Sequence, residues 1–257
     1  MIQIFASDYD GTLFRNSTVS HDDLEAIRTF RALGNKFGIV TGRTIHSIQA
    51  EIEAYNIPVD FIVGINGGVV LTHDHQEIFI SDLDQSVVDA SAHSMVPNIP
   101  LTNLDVLKKE RGVQALYLDA SAHSMVPNIP LTDLDVLKQE RGVQALYVVT
   151  SSPRQALALT NHINQHYGAL HVEANQNVCA VDIGAHGISK ATGLQKIIDY
   201  YDYKGPIYTM GDSYNDVPML KAFQGFVIST GEALVKEMGV AHYSSVGDAL
   251  STLFNKK

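Results

Sequence analysis

The chain has 257 residues, 45% of them hydrophobic, a formal net charge of −10 at pH 7 and a single cysteine, Cys179. Length and apolar content suffice for one large domain or two modest ones with a proper core, and exclude a disordered chain. The acidic balance without a Lys/Arg cluster argues against a nucleic-acid partner, and one cysteine leaves no internal disulfide framework. With no leader pattern and no run approaching the ~20 apolar residues of a membrane helix, the expectation is a cytoplasmic protein with no membrane partner.

Ile2 to Ser7 is a short apolar run, the pattern of a buried parallel strand, and it empties into Asp8-Tyr9-Asp10-Gly11-Thr12-Leu13. Two acids one residue apart at the mouth of a buried strand repel each other unless something positive lies between them; a divalent cation is the simplest candidate. Ser20 caps a helix on which Leu24, Ile27, Phe30 and Leu33 recur at helical spacing and which Gly34 ends. Phe37 to Val40 is a second strand, emptying into Thr41-Gly42-Arg43. A second helix carries Ile45, Ile48, Ile52 and Tyr55 and stops before Pro58. Phe61 to Ile65 is a third strand, emptying into Asn66-Gly67-Gly68. Strands alternating with helices through short loops predict an α/β fold with a doubly wound, Rossmann-like parallel sheet.

From Val69 the rhythm changes to a hairpin, Val69–Thr72 and Glu77–Ile80. Residues 89–118 then recur at 119–148, differing only at Asn103/Asp133, Lys109/Gln139 and Leu118/Val148. Two near-identical copies read as a tandem duplication, whether recent, engineered or erroneous, rather than a solenoid, which shows more copies with drift. Each copy reads as a short helix, a Pro-flanked loop, a second helix and a strand, Val113–Leu118 in the first. Ser152-Pro153 starts a helix carrying Ala156, Leu159, Ile163 and Tyr167, and Ala169–Glu173 and Val178–Ile183 read as strands around Asn175-Gln176-Asn177. Residues 83–185 thus form an inserted α+β domain between two halves of a core, 1–82 and 186–257. In the second half Ser189 caps a helix with Leu194, Ile197 and Ile198. Pro206–Met210 is a strand emptying into Gly211-Asp212-Ser213-Tyr214-Asn215-Asp216. Pro218–Phe223, Glu232–Met238 and Val246–Phe254 read as helices and Gly225–Ile228 as a strand.

Ligands of open α/β sheets bind beyond the carboxyl ends of the strands. Asp8/Asp10, Thr41-Gly42-Arg43 and Asp212/Asn215/Asp216 all sit at such ends, with Lys190 in the first turn of a helix. Oxygen-only donors of this kind suit Mg²⁺ better than Zn²⁺ or copper. Alone, Lys190 reads as a solvated lysine at the unfavourable end of a helix dipole; only the constellation promotes it. The histidines show no metal-ligand spacing, His73 and His75 sit at a hairpin tip, and Cys179 in a strand pattern reads as packing.

Asp8-Tyr9-Asp10-Gly11-Thr12-Leu13, Thr41-Gly42-Arg43, Lys190 and Gly211-Asp212-Ser213-Tyr214-Asn215-Asp216 resemble, in order and spacing, the four motifs of the haloacid dehalogenase-like (HAD) phosphatases. Asn66-Gly67-Gly68 and the place of the insertion resemble the Cof-type branch with a IIB cap. The resemblance implies a Mg²⁺-dependent phosphomonoester hydrolase acting on small soluble phosphates, sugar phosphates foremost. It makes Asp8 the nucleophile that forms an aspartyl-phosphate and Asp10 the general acid and base. Asp8 and Asp212, with the Asp10 carbonyl, hold the metal, and Asp216 orients metal-bound water or Lys190. Thr41, Gly42, Lys190, Asn215, Arg43 and Asn66 form the phosphate and substrate side. Thr230-Gly231-Glu232-Ala233 departs from the branch's Gly-Asn-Ala stretch. Rival readings are a phosphomutase on the same scaffold and a phosphate-binding or phospho-accepting regulator with little turnover. The expected partner is a small phosphate ester. The chain is expected to be a monomer or weak dimer, with exchange of the duplicated cap segment between chains. One copy is expected in the native place and the other at the periphery.

Overall fold

The computed structural model describes residues 2–83, 113–119, 129–130, 143–166, 171–238 and 240–254. The chain divides into two compact units, Met1–Phe79 with Ser189–Lys257, and Ile80–Ile188.

In the first unit β1 (Ile4–Ser7) is followed by a small hairpin, β2 (Phe14–Arg15) and β3 (Thr18–Val19), and by α1 (His21–Ala32). Ser20 caps α1 by accepting from the Asp23 N–H. The buried stripe of this helix is Asp23, Ala26, Ile27 and Phe30, while Leu33 lies beyond the last turn and is exposed. Next come β4 (Lys36–Val40), α2 (Ile45–Tyr55), β5 (Phe61–Gly64), β6 (Val69–Thr72) and β7 (Glu77–Ile80). Asn56 ends α2 in the left-handed conformation. The expected third strand stops at Gly64, because Ile65 turns to φ 53° and opens a 3₁₀ turn through Gly67.

The second unit contains β8 (Val113–Asp119), β9 (Ile129–Pro130), β10 (Ala145–Thr150), α3 (Pro153–His166), β11 (Val172–Asn177) and β12 (Ala180–Ala185). They form one antiparallel sheet in the order β11-β12-β10-β8-β9. The second copy of the repeated segment supplies the inner strand β10 beside β12, and the first copy supplies β8 outside it. Tyr117 lies opposite Tyr147 in this pair. The helices expected within the repeats, Tyr167 and residues 169–170 lie outside the described residues. The hairpin loop expected at Asn175-Gln176-Asn177 is instead Val178-Cys179, since Asn177 still pairs with Ala180. Cys179 is therefore a half-buried turn residue, not a strand residue.

The chain returns to the first unit with α4 (Lys190–Tyr200), β13 (Ile207–Gly211), α5 (Val217–Ala222), β14 (Gln224–Ile228), α6 (Ala233–Lys236), β15 (Ala241–Tyr243) and α7 (Val246–Ser251). Gly239 lies outside the described residues.

The core sheet runs β15-β14-β13-β1-β4-β5-β6-β7. The pairs among β15, β14, β13, β1, β4 and β5 are parallel, and β6 pairs antiparallel to β5. The sheet is thus mixed at one edge. Alternation along β1 sends Ile4 and Ala6 to a face packed with Val40, Val63, Leu194 and Ile197. Phe5 faces the other side, its ring 6.3 Å from that of Phe30 and 6.0 Å from that of Phe37. Burial on both faces explains why β1 reads as an unbroken apolar run. β1 has β4 on one side and β13 on the other, so the chain order reverses across it and the loops beyond the strand ends part there. Among the described residues no helix is long and apolar enough to cross a membrane.

Candidate active site

Three strand ends and one helix start bring the polar groups together. Asp8 follows β1 and its N–H donates to the Met210 carbonyl of β13 at 2.8 Å. Thr41 follows β4 and is fixed by its N–H to Val63 O at 2.8 Å. Asp212 follows β13. Lys190 is the first residue of α4, whose cap Ser189 accepts from the Thr192 N–H.

Lys190 is 1% exposed and donates to Asp8 Oδ1 and to Asp216 Oδ1, both at 2.6 Å. Burial pulls the ammonium down, but the Asp216 and Asp8 charges outweigh it and hold Lys190 above its ordinary value, so it stays charged. Burial, followed by the Asp216 charge, pushes the Asp8 carboxyl well above the usual carboxylate range, against the pull of Lys190. Asp212 is pushed up to about 6, first by burial and then by Asp216. Asp216 is fully buried; its second oxygen accepts from the backbone N–H groups of Asp212 and Ser213, each at 3.0 Å. It thereby holds both Lys190 and the start of the loop that carries Asp212.

Oxygens of Asp8, Asp212 and Asp216 lie within 4.8 Å of one another. With all three ionised and one ammonium between them, the cluster has a formal charge of −2. A divalent cation balances that charge, and a donor set made only of oxygen is the one Mg²⁺ takes. The residues present fit such an ion.

The approach of Asp212 depends on Gly11. Gly11 sits at φ +80°, and a Cβ there would lie 2.4 Å from Asp212 Oδ2. The same loop brings the Thr12 hydroxyl to Asp212 Oδ1 at 3.2 Å. Arg15 donates to the Thr12 carbonyl and, at 2.7 Å, to the buried Asp23 carboxylate, whose other oxygen accepts from the Gly247 N–H of α7 at 2.6 Å. The acidic loop is thus tied to two helices.

On the opposite side Thr41 is 1% exposed, and its hydroxyl oxygen accepts from the Arg43 N–H at 3.1 Å. A hydroxyl that accepts there still has its O–H to give. Ile65, Asn66 and Gly67 have φ of 53°, 50° and 105° in succession. A β-branched residue in that region is strained. The turn is held by the Ile65 N–H to Arg43 O and the Asn66 N–H to Thr41 O. A Cβ on Gly67 would lie 2.1 Å from Ser189 O, so only glycine lets this turn approach the cap of the lysine helix. Asn66 Oδ1 accepts from Asn215 Nδ2 at 3.2 Å, and Gly42 lies alongside Asn66. Asn215 therefore bonds to Asn66, and it is Asp216 that orients Lys190.

Asp10 is half exposed and does not belong to the buried cluster. Its two oxygens accept from Nε and Nη2 of Arg43, each at 2.7 Å. Arg43 Nη1 donates to Glu51 of α2, also at 2.7 Å. The hydrogen bonds to Asp10, then to Glu51, and the charges of both acids hold Arg43 above its ordinary value, against the pull of burial. Sequence reasoning missed Glu51, because a glutamate on a helix surface carries no local signal of an ion pair made with a loop.

A family model described as haloacid dehalogenase-like hydrolase matches residues 5–243. A solved phosphatase of the haloalkanoate (HAD) enzyme superfamily from Bacteroides thetaiotaomicron is 23% identical, with 98% of this chain and 94% of that chain covered and a TM-score of 0.74. A HAD subclass IIB sugar phosphatase is 18% identical over 98% of this chain and 99% of that one, with a TM-score of 0.75. A HAD/COF-like hydrolase from Plasmodium vivax is 17% identical over 100% and 96%, with a TM-score of 0.78. At such identities the structural likeness speaks for the fold. A search of curated protein sequences gives no match.

Proposed function

The chain belongs to the haloacid dehalogenase-like hydrolases, and from that premise we propose that it is a Mg²⁺-dependent hydrolase of small soluble phosphomonoesters. The observation that carries this reading is the buried Asp8 carboxylate, held by Lys190 at 2.6 Å and grouped with Asp212 and Asp216 within 4.8 Å.

In this mechanism an oxygen of Asp8 attacks phosphorus. The Asp8–phosphorus bond forms as the ester bond breaks, and Asp10 gives the leaving alcohol its proton. Water then cleaves the aspartyl-phosphate, Asp10 takes a proton back, and phosphate leaves. Two carboxylates are needed because the one bonded to phosphorus cannot also shuttle the proton. Lys190 and Thr41 hold the non-bridging oxygens of the phosphoryl group, and Asn66, Asn215 and Gly42 shape its far side. Asp216 keeps Lys190 in place. When bound, Mg²⁺ held by Asp8, Asp212 and the Asp10 carbonyl supplies positive charge that offsets repulsion between phosphate and carboxylate.

Sugar phosphates are the favoured substrate class. The support is the likeness to a subclass IIB sugar phosphatase across both units of the chain. The insertion, residues 83–185, is read as its cap, with substrate selection residing there.

The test is direct. Purified protein with Mg²⁺ is expected to release inorganic phosphate from 4-nitrophenyl phosphate, and to lose this on adding EDTA. Asp8→Asn is expected to abolish turnover with the fold unchanged by circular dichroism. Turnover retained in that variant overturns the mechanism, and transfer of phosphate to a second hydroxyl without its release converts the reading to a mutase. A screen of phosphorylated sugars then ranks substrates.

A further inference from the structure

Asp10 lies at the surface, its side chain 52% exposed, yet it does not hang free. Arg43 grips it with a two-pronged fork, and the fork itself is fixed on two more sides. Glu51 Oε1 accepts from Arg43 Nη1 at 2.7 Å, and Glu51 Oε2 accepts from the Tyr9 hydroxyl at 2.9 Å. The Tyr9 ring is fully buried, and the guanidinium lies over it at 4.8 Å from the ring centroid. Phe14 stacks on Tyr9 from within the same loop, at 5.4 Å. A planar guanidinium bound on several sides has one orientation available, and a bidentate carboxylate takes its plane from it. Tyr9 and Glu51 are 42 residues apart in sequence, so this chain of contacts joins the acidic loop to the middle of α2.

We propose that Glu51 and Tyr9 are positioning residues that, acting through Arg43, hold the Asp10 carboxylate in the orientation from which it exchanges a proton with the leaving-group oxygen. The proposal rests on the reading of Asp10 as proton donor given above. It extends that reading to two residues outside the four motif clusters' expected roles: Tyr9, the spacer between the two acids, and Glu51, on a helix that bears none of the clusters. A mere staple between α2 and the loop would contribute to stability and leave proton transfer alone.

The two roles separate on leaving-group chemistry. Expulsion of 4-nitrophenolate needs little help from an acid, whereas expulsion of unsubstituted phenolate needs more. Steady-state kinetics of Glu51→Gln and Tyr9→Phe are therefore compared on 4-nitrophenyl phosphate and phenyl phosphate. Glu51→Gln is expected to lower kcat on phenyl phosphate at least tenfold and on 4-nitrophenyl phosphate less than threefold, with KM changed less than twofold on either. Tyr9→Phe is expected to show the same pattern about threefold weaker. The double variant is expected to add nothing to Glu51→Gln, because the hydroxyl acts only through that carboxylate. Equal losses on the two esters, or no loss, overturn the proposal.

A second measurement does not depend on turnover. In ¹⁵N-arginine spectra the Arg43 Nε–H of the wild type is expected to be protected from solvent exchange, and in Glu51→Gln to exchange at least fivefold faster with the melting temperature within a few degrees. Unchanged protection overturns the positioning role. If the wild type hydrolyses neither ester, the hydrolase reading falls and the exchange measurement alone decides whether Glu51 orients the fork.

Discussion

Removing a carboxylate of the proposed metal site is expected to stabilise the metal-free protein. Asp212 shares its site with Asp8 and Asp216 and one ammonium, and its carboxyl is raised from 3.8 to about 6, first by burial and then by Asp216. A rise of about two units corresponds to about 3 kcal/mol of penalty on the ionised form. Coupling with Asp8 spreads this over the pair, so about 2 kcal/mol is assigned to Asp212→Asn. The amide oxygen can still accept from Thr12. Because the folded-state value lies above the ordinary one, the folded protein holds the extra proton between pH 3.8 and about 6, and wild-type stability falls as pH rises through that window. In EDTA at pH 8 the variant is therefore expected to melt about 4–8 °C above wild type, and the gap to close as pH falls from 6 toward 4. On the proposed Mg²⁺ site the ion is expected to reverse the order: at a hundredfold excess over its dissociation constant, binding adds about 2.7 kcal/mol to the wild type, while the variant lacks one of the proposed ligands. Differential scanning fluorimetry over pH, with EDTA or Mg²⁺, reads all three effects. A variant less stable than wild type in EDTA at pH 8, or a gain that persists unchanged at pH 4, refutes the reasoning.

On the proposed mechanism Lys190→Met removes the buried charged donor assigned to the phosphoryl group and is expected to lower kcat by about two to three orders of magnitude in phosphate-release assays. Gly67→Ala is expected to cost more than about 2 kcal/mol in urea unfolding, because φ +105° and a contact of 2.1 Å with Ser189 O act together. Asp23→Ala removes the carboxylate partner of Arg15, which keeps only the Thr12 carbonyl, and leaves the Gly247 N–H without its acceptor. It is expected to cost about 3–5 kcal/mol, seen as a lower urea midpoint at unchanged slope.

What was legible in the sequence was legible for local reasons. β1, β4 and β13 are apolar runs that end in polar clusters, and the parallel topology alone brings Asp8, Thr41 and Asp212 to the same ends. The Ser20 and Ser189 caps are single-residue signals with a single geometric outcome. The partners of Arg43 were hidden, because Glu51 and Asp10 are brought to it by tertiary packing, 8 and 33 residues away. The bond between Asn215 and Asn66 was hidden for the same reason: the two are 149 residues apart, and Asn66 lies on a turn whose left-handed backbone a strand pattern does not reveal. The Val178-Cys179 turn shows register defeating composition. Burial of Val172, Ala174, Val181 and Ile183 on one face fixes the pairing, and the chain accepts φ 50° at a valine rather than turn at the asparagines. The strands β2, β3 and β15 span two or three residues each, too few to show a period.

The pairing of β8 with β10 has a consequence of symmetry. Tyr117 stands opposite Tyr147, its own counterpart in the other copy, with Leu118 opposite Leu146 and Leu116 opposite Val148. Two copies of one strand, antiparallel and centred on the same residue, are related by a local two-fold axis, the arrangement in which identical chains associate edge to edge. Within this one polypeptide the two copies pair as two identical strands would. A chain shortened by residues 119–148 would keep one copy beside β12 and bare the edge that β8 now covers. Sedimentation of that shortened chain is expected to show a concentration-dependent dimer where the full-length chain shows none.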